Sequence, residues 1–369
     1  MTIVLLILAV GWLAYSNGAN DNFKGVATLY GSATVGYRPA LWWATLATVA
    51  GGMVSGVAAQ RLFVVFSGDG LVPPSLVGTP ELLITVGLAS AITIFLATEL
   101  GLPTSTTHAL MGALLGAALV SSSGRIGWSL IADRFVASLM LSPVVALAMT
   151  AMLYAVLRRL RLAAGITRQT CVCVGSQAPH LVHVRLDGTA VLAASGLSIS
   201  VGQTDNCLER YHGRVLGVDA QTIVDAVHYL SAGAVCFGRA MNDTPKIVAL
   251  LVAAPTVNSS WGLAVVVMAM VLGGLLNARG VAETMSKRIT DLNSGQGLTA
   301  NLVTAVLVLL ASPFGLPVST THVSCGAIFG IGLVNRAFQW KTVARILAAW
   351  VTTFPLAAAI GGVLFWLVR

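Results

Sequence analysis

The chain has 369 residues, of which 56% are hydrophobic and 9% charged, with a mean hydropathy of +0.86. A soluble domain carries about 25% charged residues, so this balance excludes an ordinary water-soluble fold and points to a polytopic membrane protein. The formal charge of +8 does not predict a nucleic-acid partner, because a basic patch needs a soluble face and here Lys and Arg flank apolar spans.

In chain order, ten apolar segments approach the roughly 17 to 25 residues that a bilayer crossing needs. They lie at 1–15, 40–66, 81–99, 103–122, 129–157, 224–252, 259–277, 298–311, 314–335 and 341–368. The opening "MTIVLLILAVGWLAY" has neither the basic n-region nor the cleavage site of a signal peptide, and is expected to be the first span. Ten crossings put both termini on one side. With both termini outside, the inner connections hold eleven basic residues, among them Arg38, Arg158, Arg279, Lys287 and Lys341, against four outside (Arg61, Arg125, Arg134 and Arg369). That imbalance follows the positive-inside rule and predicts a multi-pass protein of the cytoplasmic (inner) membrane.

The sequence repeats itself. "GLPTSTTHALMGALLGAALV" from Gly101 and "GLPVSTTHVSCGAIFGIGLV" from Gly315 agree at 12 of 20 positions without a gap. "NDNFK" at Asn20 recurs as "NDTPK" at Asn242, and Gly51-Gly52 recurs as Gly273-Gly274 at the same offset of 222 residues. The chain is therefore a duplication: a first transmembrane repeat at 1–157, an insert at 158–223 and a second repeat at 224–369. Five segments per half force the second half to enter the membrane upside down, the inverted repeat of many secondary transporters. In the insert, "HVRLDGTAVL" reads as a hairpin around an Asp-Gly turn, with "CVCV" and "LSISV" as further strands. The fold class predicted is an all-α polytopic membrane protein with broken helices at the centre and a small β-rich cytoplasmic insert.

A helix broken within the bilayer is tolerated only where it lines a cavity or is buried in protein. Both ND motifs adjoin Gly or Pro (Gly18 and Gly25, then Gly238 and Pro245), and both STTH motifs follow Gly-x-Pro. Four broken segments predict one central site between the halves. Ser105, Thr106 and Thr107, with Ser319, Thr320 and Thr321, fall where helix N-caps are expected. Unpaired amides and the positive end of the helix dipole there suit a tetrahedral oxyanion; the plainer reading is that the hydroxyls only cap.

Asp21 and Asp243 each cost roughly 2.5 to 3.5 kcal/mol at a membrane-helix centre. With the neutral oxygens of Asn20 and Asn242 they suit a hard coupling cation or a proton. Lys24 and Lys246, three residues on, share that helix face. They either neutralise the aspartates or reach the anion; if they replace a sodium ion, coupling uses protons. His108 and His322 titrate near neutrality and are candidates for a proton relay, the plainer reading being satisfied polar packing. Cys171, Cys173 and Cys207 with His180, His183 and His212 match no zinc spacing, so no metal or other cofactor is expected beyond the coupling H+ or Na+. The odd count of five cysteines argues against a disulfide framework.

"GAND" at Gly18 to Asp21, "MND" at Met241 to Asp243, "PTSTTH" at Pro103 and "PVSTTH" at Pro317 resemble the motifs of the inorganic phosphate transporter family (PiT, solute carrier 20), including its bacterial phosphate and sulfate permeases. The resemblance covers both halves and leaves out the insert. It implies a symporter that imports inorganic phosphate by alternating access, or else a permease for sulfate or a related oxyanion. It further implies that the paired Asn-Asp hold the cation and the Ser-Thr-Thr segments the anion. Assembly as a homodimer rests on that resemblance alone. Sodium-coupled members read "ANDVAN", whereas this chain reads "ANDNFK" and "MNDTPK", a departure that leans toward protons. A membrane hydrolase built on Asp21, Asp243, His108 and His322 fits a duplicated chain less well than alternating access, so no enzyme activity is expected.

Overall fold

The computed structural model describes residues 2–66, 68, 72–121, 128, 137–167, 169–176, 181–184, 190–192, 197–203, 216–253, 258–316 and 318–369. The chain divides into two compact units, Met1–Tyr154 with His228–Arg369, and Ala155–Val227.

In chain order the helices are α1 (Thr2–Asp21), α2 (Ala27–Gly31), α3 (Tyr37–Ala58), α4 (Gln60–Phe66), α5 (Pro80–Glu99), α6 (Thr106–Val120) and α7 (Ala137–Ala163). After the insert come α8 (Ala220–Val252), α9 (Ser259–Asn277), α10 (Arg279–Lys287), α11 (Ser294–Ala311), α12 (Thr320–Asn335) and α13 (Trp340–Val368). Local sequence sets several ends. Pro80 opens α5, its missing N–H costing nothing there. Asn293 and Gln296 form a reciprocal capping box at the start of α11. Gly101, just past α5, and Gly315, closing the turn after α11, sit at φ +65° and +69°, the left-handed conformation that glycine adopts without strain.

The polarity runs inside out. Leu8, Leu46, Trp261, Leu276 and Val351 are exposed on the helix exteriors, whereas Asn20, Asp21, Lys24, Asn242, Asp243 and Lys246 are buried. That arrangement is stable only when the outer solvent is hydrocarbon. Among the described residues, seven helices are long and apolar enough to cross a bilayer: α1, α3, α5, α7, α9, α11 and α13.

Three of the ten predicted spans fall outside that set, and a fourth is divided. The segment 40–66 is two helices, α3 and α4. The segment 224–252 is the 33-residue α8, which buries Arg239, Asp243 and Lys246. The two STTH segments are short helices: α6, with 15 residues, rises about 22 Å against a hydrocarbon core of about 30 Å. Non-helical chain at 102–105 and at 316, 318 and 319 leads into α6 and α12. Ten crossings, and the parity argument built on them, require α8 and the two STTH helices to cross as well. Arg125 and Arg134, which entered the charge count, lie outside the described residues, as does the start of the predicted span at 129.

Helices of one half pack on helices of the other through glycine. A Cβ on Gly273 would lie 1.9 Å from the Tyr15 carbonyl oxygen, and one on Gly51 would lie 2.1 Å from that of Phe237. These are the same contact shifted by 222 residues with the halves exchanged. Gly112 and Gly116 of α6 likewise abut the Phe354 and Ala358 carbonyls of α13, as Gly326 and Gly330 of α12 abut the Pro143 and Leu147 carbonyls of α7. Small residues let membrane helices approach this closely.

In the smaller unit, β1 (Thr170–Ser176) pairs antiparallel with both β4 (Leu197–Gln203) and β5 (Leu216–Asp219), giving the order β4-β1-β5. The predicted hairpin is present as β2 (Leu181–Val184) paired with β3 (Ala190–Leu192), its Asp-Gly turn lying outside the described residues. Cys171 and Cys173 form a disulfide within β1, a local link that the odd cysteine count did not predict. His180, Cys207 and His212 are outside the described residues.

Candidate functional site

Helix α1 carries Asn17, Asn20 and Asp21 through its last turn and stops at Asp21. A run of turns at 22–26 follows, and within it Lys24 folds back over the helix end. Its ammonium donates to Asn20 Oδ1 (2.8 Å), to Asp21 Oδ1, to the Thr104 carbonyl (2.9 Å) and to Thr321 Oγ1 (2.6 Å). Lys246 repeats the pattern from α8. It donates to Asn242 Oδ1, to Asp243 Oδ1 (3.0 Å), to the Val318 carbonyl (3.2 Å) and to Thr107 Oγ1 (2.9 Å). Each ammonium thus faces an amide oxygen, a carboxylate, a backbone carbonyl and a hydroxyl, the hydroxyl coming from the opposite half. Both ion pairs are buried.

The two ND motifs differ in one respect from expectation. The first breaks its helix as predicted, but α8 runs unbroken from Ala220 to Val252 with Pro245 inside it. A proline there removes one backbone hydrogen bond; within a packed bundle this is tolerated, and the chain keeps its helical course past Lys246.

The predicted capping of the STTH segments is present. Ser105 and Ser319 precede α6 and α12 in extended conformation, and their hydroxyls accept from the amides of His108 and His322 at 3.2 Å each. Thr106 Oγ1 accepts from Asn17 Nδ2 at 2.7 Å, and Asn17 also donates to Asp21 Oδ2 at 3.3 Å. Thr320 Oγ1 donates to Asp243 Oδ2 at 3.2 Å. Thr321 Oγ1 donates to the Thr104 carbonyl at 2.6 Å, tying the two STTH entries together. The His108 and His322 rings lie 4.7 Å apart, centroid to centroid, with Trp350 3.9 Å beyond His322. All fourteen residues singled out in the sequence are buried in one unit of the fold. The substrate candidates Thr107 and Thr321 touch the lysines, and the lysines spend their donors on the Asn-Asp pairs.

Several members of the site were missed. Asn17 and the Thr104 and Val318 carbonyls escaped because backbone oxygens carry no sequence signal and Asn17 sits in an otherwise apolar span. Asn22, between Asp21 and Lys24, accepts from Thr48 Oγ1 at 2.7 Å and donates to Thr45 Oγ1 at 3.1 Å. Arg239 is the largest of the fully buried side chains, and its Nη2 donates to Thr48 Oγ1 at 2.8 Å. Its signal was available: an arginine inside an apolar segment one turn before Asp243.

Such a centre, with buried ion pairs joined to two helix N-termini inside a lipid-facing shell, can hold an oxyanion and move charge. Residues 17–361 match the family model described as "Phosphate transporter family". A Pyrococcus horikoshii protein named "Putative phosphate permease" is 29% identical over 402 residues, covering 98% of this chain and 96% of its own length. The Arabidopsis thaliana "Inorganic phosphate transporter 2-1, chloroplastic" is 23% identical, covering 96% of this chain and 70% of its own length. A solved structure described as "The sodium-dependent phosphate transporter" superposes with a TM-score of 0.75 at 19% identity, over 99% of this chain and 98% of that one. The chain is a multi-pass membrane protein and belongs to the phosphate transporter family.

Proposed function

We propose that the protein is a proton-coupled symporter that imports inorganic phosphate across the cytoplasmic membrane, with both termini outside. It works by alternating access between two halves that form an inverted repeat. The observation that carries this reading is the pair of lysine sites: four oxygens converge on the Lys24 ammonium, and four equivalent ones on that of Lys246. Oxygen sets of amide, carboxylate and carbonyl are those a hard cation takes. An ammonium tethered in each set excludes a free sodium ion from it, so the driving ion must be one that titrates. The His108 and His322 rings, 4.7 Å apart at the entry to the two STTH helices, form the proposed proton relay. The glycine contacts that recur with the halves exchanged support the inverted repeat.

The amino ends of α6 and α12 supply the anion site. Phosphate can donate a hydrogen bond to a carboxylate and sulfate cannot, and Asp243, bonded to Thr320 at the first position of α12, favours phosphate. Uptake of labelled phosphate into proteoliposomes under an imposed proton gradient, then a sodium gradient, each with competing sulfate, tests this. Accumulation driven by protons alone and insensitive to sulfate is expected. Sodium-driven uptake overturns the coupling; sulfate uptake without phosphate uptake overturns the substrate.

A further inference from the structure

The centre carries one more positive charge than its carboxylates balance. Lys24 pairs with Asp21 and Lys246 with Asp243, which leaves Arg239. Its residue surface is 1% exposed, and among the described residues no carboxylate lies within ion-pair distance of it and its Nε and Nη1 have no hydrogen-bond partner. Only Nη2 is engaged, on Thr48, whose hydroxyl in turn donates to Asn22 beside Asp21. A third buried cation beside two carboxylates already paired with lysines is expensive, and its planar fork of donors matches two oxygens of a tetrahedral oxyanion.

The duplication gives Arg239 a counterpart in the first half. Arg239 occupies the position of Asn17, 222 residues on. Asn17, one turn before Asp21, spans to Thr106 Oγ1 at the first position of α6. The same position in the second half is Arg239, one turn before Asp243, whose carboxylate accepts from Thr320 at the first position of α12. Arginine in place of asparagine puts a cation where the first half has a neutral amide.

Resting on the reading of phosphate transport above, we propose that Arg239 binds the transported oxyanion. Its Nε and Nη1, which have no partner among the described residues, are the donors open to phosphate oxygens, and the anion's negative charge offsets the third cation of the centre. The two halves then differ in role: the Asn17 side contributes a neutral amide, the Arg239 side the charge.

The test uses the full-length protein in proteoliposomes and in detergent, with inorganic phosphate as the ligand. Arg239→Lys keeps the charge and loses the fork; Arg239→Gln loses both. The expected result is a KM for phosphate raised at least tenfold in Arg239→Lys, with maximal rate within about threefold. In Arg239→Gln, phosphate no longer raises the melting temperature. KM values within twofold of the parent in both variants, with thermal stabilisation by phosphate retained, overturn the proposal. If the variants do not fold, the parent protein decides: phosphate either slows phenylglyoxal labelling of Arg239, read by mass spectrometry, or leaves it unchanged, and the latter overturns the proposal. A parent protein that neither transports nor is stabilised by phosphate fails the functional reading itself, whatever the variants do.

Discussion

The ammonium of Lys24 donates to the hydroxyl of Thr321 at 2.6 Å, across 297 residues of chain, and Lys246 returns the contact on Thr107 at 2.9 Å. Each cation at the end of one ND motif is thus held by an STTH helix of the other half. A hydrogen bond to a charged group contributes about 1.5 to 3 kcal/mol. Thr321→Val and Thr107→Val are expected to lower initial uptake rates at least tenfold, while Thr→Ser at either position keeps most of the rate. Proteoliposome initial rates measure this directly.

Removing one member of a buried ion pair leaves the other uncompensated, a loss of about 3 to 5 kcal/mol. Lys24→Met should therefore unfold at markedly lower temperature than the parent. Lys24→Met with Asp21→Asn should regain most of that stability, since no charge is left buried, yet transport no phosphate. Thermal unfolding in detergent separates the two effects.

The His108 and His322 rings touch across the centre. With His108→Gln or His322→Gln, proton-driven accumulation is expected to fall at least tenfold while phosphate exchange without a gradient persists. Equal loss of both in either variant contradicts the relay and favours a packing role.

Glycine packing between the halves gives a stability prediction. Gly273→Ala places a Cβ 1.9 Å from the Tyr15 carbonyl oxygen, and Gly116→Ala places one equally close to that of Ala358. Backbone must move in each, at roughly 1 to 3 kcal/mol. Gly11→Ala meets nothing within 4 Å and is expected to be neutral or to stabilise α1 slightly, since alanine suits a helix interior better. Melting temperatures of the three variants order them.

The duplicated motifs made the site's main parts legible, because side chains that are costly in a membrane recur at a fixed offset: Asp21 with Asp243, Lys24 with Lys246, the two STTH runs. The serine caps followed from the same logic. What stayed hidden depends on three-dimensional approach. The Thr104 and Val318 carbonyls act through backbone, and the exchange of Thr107 and Thr321 between halves is a property of packing. Pro245 misled because proline is a local breaker, whereas a bundle can hold α8 helical past it. The STTH segments read as apolar runs whose length alone does not tell a crossing from a buried helix, and α6 is a mostly buried helix of 15 residues.

The central claim is that tethered ammonium groups occupy the cation positions and leave protons to drive transport. Vesicles loaded with a pH-reporting dye, free of sodium, test it most directly. Phosphate added outside is predicted to acidify the interior as it enters, at a rate that sodium does not change. Phosphate entry that requires sodium and leaves internal pH constant contradicts it.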